Sequence, residues 1–156
     1  MGIASSRLGF AFAVTEGPRL LVRSGSRIVP VSAERMTNRL AAVIRLNRPL
    51  FVAVAASPSK GLRDRGRMLN QAIYAACQRC GVMCLTVRTQ DLAALTSLRN
   101  PTRWRIAEAT AKLFPHLSHK LPAPRRSWMP EDKRVSLFLA LAVAVCAWDG
   151  FRKGRW

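Results

Sequence analysis

Carboxylates are what this chain has least of. Its 156 residues carry eight Asp and Glu against 26 Lys and Arg, a formal net charge of +18 at neutral pH. The eight are Glu16, Glu34, Asp64, Asp91, Glu108, Glu131, Asp132 and Asp149, scattered along the sequence. Metal-dependent phosphoryl chemistry needs several carboxylates converging on one point, and this set leaves little room for that. Histidine is scarcer still, with His116 and His119 alone. Cys77, Cys80 and Cys84 form a C-x2-C-x3-C run with Cys146 far downstream, but zinc requires a second pair or suitably spaced histidines. The cysteines therefore read as buried free thiols, acting as small hydrophobes in a reducing compartment. The histidines read as connector or cap residues, since no nucleophile or acid pairs with either. Long hydrophobic runs are also missing. The longest, residues 135–148, is 14 residues, short of the roughly 20 that span a membrane, and reads as a buried core helix. No membrane partner is expected, and a cytoplasmic location is. Met1-Gly2 with Ser6, and the N-terminal arginines among serines, give only weak acylation or organelle signals.

What is present is a hydrophobic fraction of 49%, that of a packed domain, together with one excess positive charge per about nine residues. Such self-repulsion is most simply understood if a phosphate backbone neutralises it. Residues 1–150 read as one domain and residues 151–156 as a basic-aromatic tail, with Phe151, Arg152, Lys153, Arg155 and Trp156 either frayed or ordering on a partner. Along the chain, residues 8–14, 19–23 and 27–31 predict an antiparallel meander, with turns at Glu16-Gly17-Pro18 and Ser24-Gly25-Ser26. Ser32 caps a helix carrying Met36, Leu40, Val43 and Ile44 on one face. Residues 50–56 and 82–87 predict buried strands flanking a helix that ends at Gly81. Residues 91–98 predict a short helix, and residues 100–114 another with Pro101 at its first position. Residues 115–130 predict an extended basic connector, and the apolar helix starts near Glu131. The sum is an α/β domain: a mixed five-stranded sheet with helices on both faces, in the element order of the ribonuclease H-like fold.

Four stretches carry a family likeness. Arg7-Leu8-Gly9-Phe10-Ala11, the loop from Pro58 to Gly61, the helix running into Pro115-His116-Leu117, and Trp128-Met129-Pro130-Glu131-Asp132-Lys133-Arg134-Val135-Ser136-Leu137-Phe138 resemble RuvC-like nuclease domains over nearly the whole chain. The resemblance implies structure-selective cleavage of branched nucleic acid by carboxylates that bind divalent metal. It would place those acids on the first strand, at the end of the fourth strand and on the final helix. This chain offers Gly2 or Ala4, Ala55-Ala56 and Leu139 there, with only Glu131 and Asp132 nearby. An upstream residue would restore one acid but not the other two. Asp132 and Leu139, seven residues apart, are expected on one helical face. The implied protein is a degenerate member with no catalytic residue and no cofactor, Mg²⁺ being required only if it is active.

The likeness also gathers the positive charge around the cleft. Lys60, Arg63, Arg65 and Arg67 follow the fourth strand, and Arg88 the fifth. Arg99, Arg103 and Arg105 flank Trp104, while Arg125, Arg126 and Trp128 sit in the connector. Arginine forks bind phosphate bidentately. Trp104 and Trp128 either stack on unpaired bases or pack in the core, and Trp148 belongs to the core. Three functions follow: a non-catalytic nucleic-acid-binding domain, as a subunit of a nucleoprotein assembly or a homodimer; an active Holliday-junction-resolvase-like endonuclease; or a protein-interaction subunit meeting an acidic partner. DNA and RNA are both open.

Overall fold

The computed structural model describes residues 1–6, 9–28, 32–56, 63–124, 128–129 and 132–155, with the side chains of Ser6, Arg63, Asp64 and Arg65 excepted. Three strands open the chain: β1 (Gly2–Ser6), β2 (Gly9–Glu16) and β3 (Leu20–Ile28). They form an antiparallel meander, with Ile3 opposite Phe12 and Phe12 opposite Gly25. Helix α1 (Ala33–Asn47) leads to β4 (Phe51–Ala55), and α2 (Arg63–Cys80) leads to β5 (Met83–Val87). Both later strands run parallel to β1, giving the sheet order β3-β2-β1-β4-β5. The short α3 (Thr89–Ala94), α4 (Arg103–Leu113), a 3₁₀ helix (Pro115–Lys120) and α5 (Lys133–Arg152) complete the fold.

The two faces of the sheet are built differently. On one, Ile3, Phe10, Phe12, Val52 and Val54 interlock with Met36, Leu40 and Ile44 of α1 and with Ile73 and Cys77 of α2. On the other, the sheet offers Ala4, Ala11, Ala13 and Ala53, and α4 and α5 cover them with Ile106, Phe138 and Leu141. Small residues let α5 lie flush on the strands. At Gly2 a Cβ would stand 2.0 Å from the Ala140 carbonyl oxygen and 2.7 Å from the Ala144 nitrogen, so only glycine permits this backbone-to-backbone approach. Helix α5 is the one described helix long and apolar enough to cross a membrane, and its most apolar stretch is 72% buried. It is the core helix expected from residues 135–148.

Several boundaries differ from the sequence reading. The meander starts at Gly2 rather than residue 8, and Ser24-Gly25-Ser26 lies inside β3 instead of forming a turn. Gly25 is there because Phe12 sits across from it: a Cβ would meet the ring at 2.9 Å. Residues 29–31 of the expected third strand lie outside the described residues. The short helix is Thr89–Ala94 rather than 91–98. Pro101 precedes α4 rather than opening it, because the Thr102 hydroxyl caps the Arg105 amide. Residues 115–120 coil into the 3₁₀ helix instead of running extended; His116 and His119 lie exposed on it.

The last residues of the described chain are held. Phe151 stacks on Phe51 at 5.6 Å, and Trp148 meets the same ring edge-on at 5.7 Å. Gly154, at φ +62°, turns the chain so that the Arg155 amide donates to the Gly150 carbonyl. All four cysteines are free thiols. Cys77 is pushed up by its bond to Cys84 and by burial, and Cys146 by burial to about 12. Both stay protonated at neutral pH.

Candidate nucleic-acid interface

Because β1, β4 and β5 are parallel, their carboxyl ends share one end of the sheet, the position where open α/β sheets place their ligand crevice. Ser5, Ala55 and Val87 mark that end. Arg88 leaves it directly. Its guanidinium pairs with Asp91 at 3.3 Å, and Asp91 also takes Arg155 at 3.1 Å. Burial opposes the Asp91 charge, but the bonds and charge of Arg88, with Arg155 adding, hold its carboxyl below the usual range.

At the end of β1 the decisive side chain is Arg103, the first residue of α4. Its guanidinium donates to the Ser5 carbonyl at 2.9 Å and to Ser136 Oγ at 3.5 Å, while the Ser136 hydroxyl donates to the same carbonyl at 3.3 Å. One cation thus ties the end of β1, the start of α4 and the first turn of α5. The positions where the family resemblance would place acids are apolar. Gly2 cannot hold any side chain against α5, which leaves Ala4, 7% exposed and packed in the core, as the β1 position. Ala55 closes β4, and Leu139 is 5% exposed within the same core. Among the described residues no three His, Cys, Asp or Glu side chains converge. A divalent cation needs several oxygen ligands, carboxylates above all, and the oxygens described at this place, the Ser5 carbonyl and the Ser136 hydroxyl, are already taken by the Arg103 guanidinium. The described residues do not fit a metal ion.

Asp132, expected on the last helix together with Leu139, stands just before its first residue. It is the N-cap of α5, with extended backbone outside the helix, and its carboxylate accepts from the Arg134 amide at 2.8 Å. The Arg134 guanidinium donates to both oxygens, to Oδ1 at 3.1 Å and to Oδ2 at 2.7 Å. That bond holds the Asp132 carboxyl below its ordinary range. Glu131 lies outside the described residues.

Between the starts of α4 and α5 lies an open cleft of about 1440 Å³, whose walls include Arg103, Trp104, Arg105, Trp128, Lys133 and Arg134. Its electrostatics are unusual for two helix N-termini. The first turns of α4 and α5 contain no acid, and both carry cations where the helix dipole already presents positive charge. The Asp132 carboxylate at the cap of α5 also lines the cavity and is held by Arg134; the other cations and the two helix ends outweigh it, and the net positive cavity favours an anion. Trp104 forms a fixed wall: it is half-buried, its indole N–H donates to the Pro122 carbonyl at 3.0 Å, and Arg105 lies 5.5 Å from the ring centroid. Trp128 is 75% exposed.

The cleft unites Arg103, Arg105 and Trp128 of the expected binding residues. Arg67, Arg88 and Arg99 are exposed but lie outside its described lining. Lys60, Arg125 and Arg126 fall outside the described residues, as do the side chains of Arg63 and Arg65. Lys133 and Arg134 were missed, although basic residues directly after an N-cap Asp, against the dipole, were a readable signal.

Comparison with solved structures bears on the fold. A structure of T. thermophilus RuvC in complex with Holliday junction substrate matches with a TM-score of 0.68 at 19% identity, covering 98% of this chain and 94% of that one. A second Thermus thermophilus RuvC structure matches with a TM-score of 0.64, again at 19% identity, covering 98% and 95%. The fold is RuvC-like. No protein-family model and no curated protein matches the chain. The RuvC-like fold is a ribonuclease H-like mixed sheet with helices on both faces, as the element order indicated.

Proposed function

We propose that this chain is a nucleic-acid-binding domain without nuclease chemistry, gripping phosphate backbones through the cleft between α4 and α5 as one subunit of a nucleoprotein assembly. The observation that carries this reading is the Arg103 guanidinium joining Ser5 and Ser136 at the sheet end where carboxylates would have to converge. A protein that kept the RuvC-like scaffold while placing alanine, leucine and arginine there has exchanged metal chemistry for charge alone. Binding of branched nucleic acid is supported by the structural match to a RuvC solved with a Holliday junction substrate. Backbone contacts fix position rather than sequence, so the expected preference is for shape.

An active endonuclease would have to draw Asp132 away from Arg134 and find further carboxylates from Glu131 or a partner chain. An acidic protein partner would satisfy the same cations, but a cleft with two helix N-termini matches tetrahedral oxyanions better than a broad protein surface. The test of the chemistry is direct. The purified chain, incubated with Mg²⁺ or Mn²⁺ and branched, duplex or RNA–DNA hybrid substrates, is expected to bind them and release no products above background. Metal-dependent products that vanish in Asp132→Asn would overturn the reading.

A further inference from the structure

We infer that the α4–α5 cleft holds an unpaired nucleobase, with Trp128 as its stacking platform and the surrounding cations on the flanking phosphates. The inference rests on the nucleic-acid reading above and narrows its substrate class to strands containing at least one unstacked nucleotide: bulges, loops, branch points or single strands.

The two tryptophans of the cleft differ. Trp104 is half-buried, with its indole N–H on the Pro122 carbonyl. Trp128 keeps 75% of its surface exposed and sits beside Met129, itself 49% exposed. This exposed apolar pair shares the cleft with Arg105, Lys133 and Arg134 and with the Asp132 carboxylate that Arg134 holds. The patch and the cations ask for different things from one ligand, a flat apolar face and a nearby negative charge, and a nucleotide carries both. Regular duplex does not meet the demand, because every internal base already has both π-faces covered by its neighbours. An indole at the mouth of the cleft gains contact only with a base that has lost a neighbour. The cations alone would bind any duplex, so the tryptophan is the element that discriminates.

The experiment compares fluorescence anisotropy of the full chain with three labelled DNA probes: a perfect duplex, the same duplex with a two-nucleotide bulge, and a single strand. Wild type, Trp128→Ala and Trp128→Phe are compared. Trp128 is exposed, so neither substitution disturbs the core. The expected result is tighter binding of the bulged and single-stranded probes, reduced about 5- to 150-fold by Trp128→Ala, the span of one aromatic–base stack. Duplex affinity should hardly move, and Trp128→Phe should recover most of the loss. Equal affinity for bulged and perfect duplex, or equal loss on both in Trp128→Ala, overturns the stacking inference and leaves the phosphate reading standing. Failure to bind any probe at low salt overturns both.

Discussion

Neutralising two cations of the cleft gives a quantitative test of where phosphates bind. Arg103, Arg105, Lys133 and Arg134 line it. If each contacts one phosphate of a duplex, log K falls with log salt at a slope of about −3.6, so raising salt fourfold weakens binding roughly 150-fold. Arg105 is paired with Glu108 at 2.8 Å and Arg134 with Asp132 at 2.7 Å, and Arg103 is bonded to Ser5 and Ser136. Solvent-exposed pairs are worth only about 0–1 kcal/mol, so exchanging carboxylate for phosphate is not prohibitive. In Arg105→Ala/Lys133→Ala the slope should fall to about −1.8, and the same fourfold salt increase should weaken binding only about 12-fold. Arg45, exposed in the last turn of α1 on the other face of the sheet, provides the control: Arg45→Ala should leave the slope unchanged. Anisotropy titrations at several salt concentrations measure all three slopes. A flat response in wild type removes phosphate binding, and an unchanged slope in the double variant removes the cleft as its location.

Gly2→Ala should destabilise by about 3 kcal/mol, the upper end of the usual overpacking range, and lower Tm by ~6–12 °C for a chain of this size. Ser5→Ala at the exposed end of the same strand gives the comparison in a thermal melt. Asp132 tests the cap and its charge separately. Asp132→Ala should cost about 1 kcal/mol, and Asp132→Asn, which keeps the cap and loses only an exposed ion pair, less than about 1 kcal/mol. The Asp132 carboxyl is held below its ordinary value, so its contribution is complete above the unfolded carboxylate pKa of about 3.9 and disappears as pH falls through the depressed folded value. Urea melts at pH 7 and pH 3 should show a larger wild-type advantage over Asp132→Asn at pH 7 than at pH 3.

Patterns of hydrophobicity were legible because each reports a burial that its own segment dictates. The apolar face of α1, the Ser32 cap, the buried strands β4 and β5 and the core helix α5 all belong to this class. The absence of acids at Ala55 and Leu139 was equally plain. What stayed hidden depends on partners distant in sequence. Gly25 signals a turn in isolation, and only Phe12 across the meander explains it as a strand residue. Arg103 looks like one more cation of a basic chain, because its acceptor, Ser5, lies 98 positions away. Asp132 was placed on a helical face by counting residues, whereas its side chain folds back on the Arg134 amide, a competition between cap and helix that spacing alone does not reveal.

The contact between Gly2 and the backbone of α5 also bears on the geometry of the cleft. Ala140 stands seven residues, or about 10 Å along the helix axis, from Lys133 on the cleft wall. A helix this well packed moves as a rigid rod, and at Gly2 it is seated on the bare backbone of β1. The strand therefore acts as a fixed stop that sets how far the basic first turn of α5 projects into the cleft. A displacement of an ångström at that stop would be carried along the rod to Lys133 and Arg134. Positioning in the cleft is in this sense set by a residue with no side chain, deep in the core and two helical turns away.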